Sequence, residues 1–116
     1  MAHHEGGCQC GRVRFAVDVD LDGTIACNCS RCGKLGSILA FAGAEAFDLQ
    51  SGEGDLTEYQ FNSHKISHFF CSTCGIQSFG RGVAPNGQVM VAVNVRCLDG
   101  VDVFALQPQQ VDGKSF

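Results

Sequence analysis

The sequence predicts a mainly β protein with little helix. Three observations carry this. Apolar residues recur at every second position in several short segments. Clusters of Gly, Asp and Asn separate those segments at close intervals, as turns do. No segment sustains a 3.6-residue apolar period.

The elements follow in order. Gly7-Cys8-Gln9-Cys10-Gly11 opens the fold with a C-x-C step between glycines that permit tight backbone. From Arg12 to Val19, Val13, Phe15, Val17 and Val19 alternate with more polar residues, which is the pattern of a half-buried strand. Asp20 to Gly23 is a turn, and Thr24 to Ala26 is a short strand leading into Cys27-Asn28-Cys29-Ser30-Arg31-Cys32. The apolar run Gly36 to Phe41 reads as a buried strand, and Phe47 to Gln50 as another. After a turn at Ser51 to Gly54, Leu56 to Phe61 alternates imperfectly as a strand. Asn62-Ser63-His64 turns the chain, and Lys65 to Phe70 runs as a strand into Cys71-Ser72-Thr73-Cys74-Gly75. Gly80 to Gly87 reads as a glycine-rich loop. Val89, Val91, Val93 and Val95 mark the clearest strand, and Val101 to Phe104 completes the core. The polar stretch from Gln107 to Phe116 is expected to be a loose tail.

A chain of 116 residues is expected to form one domain, with its core between about 7 and 104. Its 45% hydrophobic and 17% charged content is that of a globular chain rather than a disordered one. A net charge of -4, with Lys and Arg scattered, argues against nucleic acid or an anionic membrane as partner. No apolar stretch is long enough to span a bilayer. Met1 to Gly7 lacks the hydrophobic region of a signal peptide, so the expected location is cytoplasmic. His3 and His4 are assigned no metal role. In a reducing compartment, close-set cysteines point to metal or catalysis rather than disulfides.

The eight cysteines carry the chemistry. Cys27 and Cys29 lie two apart, so in extended chain both sulfurs leave one face. Cys29 and Cys32 form a C-x-x-C step, as do Cys71 and Cys74. Two pairings fit this spacing. The knuckles Cys29/Cys32 and Cys71/Cys74 can share one four-thiolate site, which strands Cys27, Cys8 and Cys10. Alternatively Cys8, Cys10, Cys71 and Cys74 close one site while Cys27, Cys29 and Cys32 form a second, which strands no close-set cysteine. Three sulfurs would leave a fourth position for a substrate, unless a ligand from elsewhere closes it. Spacing leaves that choice open. Cys97 reads as a small core residue, with a fourth-ligand role as the alternative. His64 and His68 are the other candidate ligands; His68 reads as packed and His64 as exposed. Thiolate-only sites suit both zinc and iron.

These motifs, taken with Val93-Asn94-Val95-Arg96-Cys97-Leu98, resemble the glutathione-dependent formaldehyde-activating enzyme family, which also includes centromere protein V. The resemblance runs from Gly7 to about Phe104. It implies an Mss4-like β-tent of folded-over sheets stapled by zinc. It also implies that Cys8, Cys10, Cys71 and Cys74 are structural and that Cys27, Cys29 and Cys32 are catalytic, with a labile second zinc. The implied activity is a carbon–sulfur lyase that joins an aldehyde, such as formaldehyde, reversibly to a low-molecular-weight thiol such as glutathione. Because glutathione carries two carboxylates, Arg31, Lys34, Arg81 and Arg96 are candidate substrate contacts. The alternative functions are a non-catalytic zinc- or thiol-binding module and a structural interaction domain, since one fold hosts many functions.

Overall fold

The structure is a computed structural model, and it describes residues 2–61 and 65–112. The described residues form ten strands in two sheets and one short helix. The first sheet has three antiparallel strands in the order β1 (Ala2–Gly7), β2 (Arg14–Val19) and β5 (Phe47–Ser51). The second contains β3 (Ile25–Cys27), β4 (Leu39–Gly43), β6 (Leu56–Tyr59), β7 (Ser67–Cys71), β8 (Gln77–Val83), β9 (Val89–Asn94) and β10 (Gln109–Val111). Its strand order is β10-β3-β4-β9-β8-β7-β6. The helix α1 (Cys32–Leu35) is a single turn that Gly36 ends in left-handed conformation at φ 71°. A Cβ in that conformation is strained, which explains a glycine at this stop.

The mainly β reading holds because its alternation is real. Phe15, Val17 and Val19 of β2 face Ala40 and Ala42 of β4 and Val91 and Val93 of β9 in one buried cluster. Phe79 of β8 joins them, tilted against Phe47 at 4.6 Å and stacked on Phe69 at 5.1 Å. The core therefore draws on both sheets, and burying these side chains is the main term holding them together. No helix among the described residues is long and apolar enough to cross a membrane.

Four segments differ from expectation. Ala2–Gly7 is a strand, because its backbone pairs antiparallel with all of β2 although its side chains show no apolar alternation. Gly80 and Gly82 lie inside β8 rather than in a loop. At Gly80 the Ser67 carbonyl leaves little room, since a Cβ would meet that oxygen at 3.2 Å, and Ile66 packs over Gly82. Of Val101 to Phe104, expected to complete the core, Val101 and Val103 pack against it, but Val103–Ala105 form a 3-10 turn that leaves Phe104 exposed. Finally, 107–112 is not all loose tail. Gln109–Val111 pairs parallel with β3, and the Asn28 N–H donates to the Val111 carbonyl at 3.2 Å. That contact is made by backbone, so the polar side chains gave no sign of it.

Candidate metal centres and the adjoining cleft

Two groups of cysteine sulfurs come together, each within 4.8 Å. The first joins Cys8 and Cys10, from the loop after β1, to Cys71 and Cys74 at the end of β7. Glycine at position 7 is required here, because a Cβ would run into the Val13 carbonyl. The Cys8 N–H donates to that carbonyl at 3.1 Å, while the Val13 N–H donates to Cys8 Sγ at 3.3 Å. Gly75, at φ 80°, closes the other knuckle, its N–H donating to the Cys71 carbonyl at 2.8 Å. The separations Cys8–Cys10 and Cys10–Cys71 are both 3.6 Å between sulfurs. A tetrahedron built on bonds of about 2.3 Å has an edge of about 3.8 Å. A disulfide is far shorter. The donor set therefore fits a tetrahedral metal such as zinc.

The second group is local. Cys27 ends β3, Cys29 follows, and Cys32 begins α1. The Cys29 N–H donates to Cys27 Sγ at 3.4 Å and the Cys32 N–H to Cys29 Sγ at 3.3 Å. Among the described residues, no fourth Cys, His, Asp or Glu joins this group. This second group also fits a thiophilic cation, with one donor fewer.

The thiols cannot ionise freely without such a cation. Burial opposes ionisation of Cys29, but the N–H groups of Cys32 and Arg31 outweigh it and lower its pKa. Burial, followed by the neighbouring Cys29, pushes Cys32 up to about 12. In the first group the N–H groups of Ile76 and Cys10 bring Cys74 down to about 6. The Arg12 N–H favours ionised Cys10, yet burial and the thiols of Cys8, Cys71 and Cys74 push it up to about 11. In each group some thiolates are stabilised, Cys8 and Cys74 in the first and Cys29 in the second, while a neighbouring thiol is pushed up. A bound dication removes that conflict.

The other candidate residues are dispersed. Arg31 is half-buried; its Nε donates to Gln77 Oε1 at 2.9 Å, and its guanidinium carbon sits 4.7 Å from the Tyr59 ring centre. Lys34 is exposed on α1, its N–H bonded to the Arg31 carbonyl, so both cations leave one helical turn. Together with Ser30, Leu35, Tyr59 and Phe61 they line a cleft of about 340 Å³. Arg96 donates from Nε to the Gly36 carbonyl at 3.0 Å and lines a second cleft of about 420 Å³ with Cys97 and Asp99. Arg81 is exposed on β8, four residues past Gln77 and so about 13 Å along the strand. It lines neither cleft.

Cys97 is outside both sulfur groups and packs against the core, where burial pushes its thiol up to about 11. His68 is buried, as its apolar neighbours suggested. It stacks on Phe61 at 5.2 Å, and burial, then the Arg31 charge, lower its pKa. His64 lies outside the described residues. Sequence reading missed Tyr59, Phe61 and Gln77, which reach Arg31 only through the pairing of β6, β7 and β8.

Comparison with known proteins adds to this geometry. The family model for the glutathione-dependent formaldehyde-activating enzyme matches residues 3–111. A crystal structure of a Rhodobacter sphaeroides protein is similar across 92% of this chain and 99% of its own. Its TM-score is 0.81 at 30% sequence identity.

Proposed function

The chain belongs to the glutathione-dependent formaldehyde-activating enzyme family, and from that premise we propose that it is a zinc-dependent carbon–sulfur lyase. It adds an aldehyde to, or removes one from, a low-molecular-weight thiol such as glutathione. The observation that carries this reading is the group Cys27, Cys29 and Cys32: three gathered sulfurs, one donor short of four, beside a cleft. In this account Cys8, Cys10, Cys71 and Cys74 hold a structural zinc and the three-sulfur group holds a second.

When bound there, zinc would supply the positive charge that ionises a substrate thiol or polarises a carbonyl. The rest falls to the chain. The N–H groups of Cys29 and Cys32 hold their sulfur acceptors in place. Arg31 and Lys34 add positive charge where an anionic substrate would enter. Holding thiol and aldehyde side by side supplies proximity. In the forward direction a sulfur–carbon bond forms at the carbonyl carbon, and the thiol's proton ends on the carbonyl oxygen. The reverse direction cleaves that bond.

The test is turnover of formaldehyde with glutathione by reduced, zinc-loaded protein, followed by NMR through exchange between free and adduct formaldehyde. Acceleration in the wild type and its loss in Cys29→Ser, with circular dichroism unchanged, are the expected results. Full activity in Cys29→Ser would remove the three-sulfur group from catalysis.

A further inference from the structure

Among the clefts and clusters of this molecule, the cleft on the Arg31 side of α1 has a chemistry of its own. Its six lining residues include two cations, two aromatic rings and no acid. The second cleft differs, because its arginine is bonded to a backbone carbonyl and it also contains Asp99. Asp99 is paired in turn with Arg14.

Arg31 is also held more firmly than a surface arginine. Its guanidinium lies over Tyr59 and 6.0 Å from the Phe70 ring centre, contacts that leave edge N–H groups available. Its Nε is fixed by Gln77, a residue only 5% exposed. An arginine can only donate, so Gln77 must turn its oxygen to Arg31 and its amide nitrogen to His68. The Gln77 Nε2 to His68 Nδ1 distance is 3.4 Å, which makes Nδ1 the acceptor and puts the ring proton on Nε2. His68 is braced by Phe61, and Phe61 by Tyr59 at 5.9 Å. The chain Tyr59–Phe61–His68–Gln77–Arg31 therefore closes on itself. Such bracing matters little to stability at a half-exposed arginine, but it aims a planar donor fork.

We propose that this cleft is a carboxylate-binding subsite. Arg31 and Lys34 receive the carboxylate of a thiol-bearing ligand, the rings of Tyr59 and Phe61 support the ligand's stem, and Gln77 and His68 are positioning residues for Arg31. This rests on the thiol-substrate reading above and names the feature that selects among thiols. Arg31 stands between Cys29 and Cys32 in the chain, so a ligand anchored there lies against the loop that carries the three sulfurs. Arg81 has no part in it.

S-methylglutathione, which keeps both carboxylates but has no free thiol, separates binding from chemistry. Its binding to the zinc-loaded protein is measured by isothermal calorimetry or NMR titration, beside that of its dimethyl ester. The subsite predicts that the ester binds at least about tenfold more weakly. Arg31→Met and Lys34→Met should each lower affinity for the acid about three- to tenfold and leave that for the ester unchanged. Lys34→Met guards against an effect of Arg31→Met on the cysteine loop. Gln77→Leu should weaken only the acid, as positioning requires and a general packing defect would not. Equal binding of acid and ester, or of wild type and Lys34→Met, would overturn the subsite. Carboxylate-dependent binding without turnover would keep the subsite and discard the lyase. Turnover with an unchanged KM in both cation variants would do the reverse.

Discussion

The two sulfur groups are made of the same residue but are built oppositely. The four-sulfur group joins chain segments 61 residues apart, and so ties the end of β1 to the end of β7 across both sheets. It has buried sulfurs at Cys8 and Cys71 and tight glycine turns around it. The three-sulfur group spans six consecutive positions and ties the chain only to itself. Losing the first should untie the fold, whereas losing the second should leave it standing. A site the fold does not depend on is free to lose and regain a ligand.

The largest expected effect is that of Cys71→Ser. A structural zinc site contributes about 10–16 kcal/mol, which is comparable with the whole stability of a small domain. Cys71→Ser should therefore be largely unfolded by circular dichroism at 25 °C, and a cooperative unfolding transition close to that of the wild type would contradict the contrast. The next effect should be activity alone. Cys29→Ser should lower kcat/KM at least about a hundredfold, since even outer-shell changes at metal sites cost ten- to a hundredfold, with Tm shifted by only a few degrees.

Two glycines sharpen the contrast without touching a sulfur. Gly7→Ala puts a methyl against the Val13 carbonyl beside the first group and should cost about 2 kcal/mol or more in urea denaturation. Gly33→Ala, in α1 beside the second group, places its Cβ 3.4 Å from the Asn28 carbonyl, an ordinary contact. It should be neutral, or stabilise by up to about 1 kcal/mol through helix propensity. Equal costs at the two positions would blur the division.

The smallest effect concerns pH. His68 is held below its ordinary value of 6.5 by burial and then by Arg31. The unfolded chain therefore takes up this proton first as pH falls. His68 contributes stability fully above about 6.5, and that contribution declines as pH drops towards the lowered folded value. His68→Gln should flatten that part of the stability curve relative to wild type. An identical slope in the variant would exclude the effect.

The sequence reveals what side chains announce. The alternating valines of β2 and β9 and the close-set cysteines were legible because burial and chelation each impose a short spacing. Strands made by backbone alone were not legible: β1 is polar, β10 has three residues, and β8 carries glycines where Ile66 packs. At the site, Arg31 stood out from its place in the cysteine loop. Gln77, 46 residues away, could be joined to it only by the sheet register. Arg81 looked equivalent to Arg31 in sequence, and the same register sends it elsewhere.

The central claim is the division of labour between the two groups. Its most direct test is zinc per chain, by atomic emission on reduced, tag-free protein, for wild type and Cys29→Ser measured together with their thermal unfolding. Two zinc are expected in the wild type and one in the variant, with nearly equal Tm. One zinc in both, or a variant that unfolds with the loss of its second zinc, would contradict it.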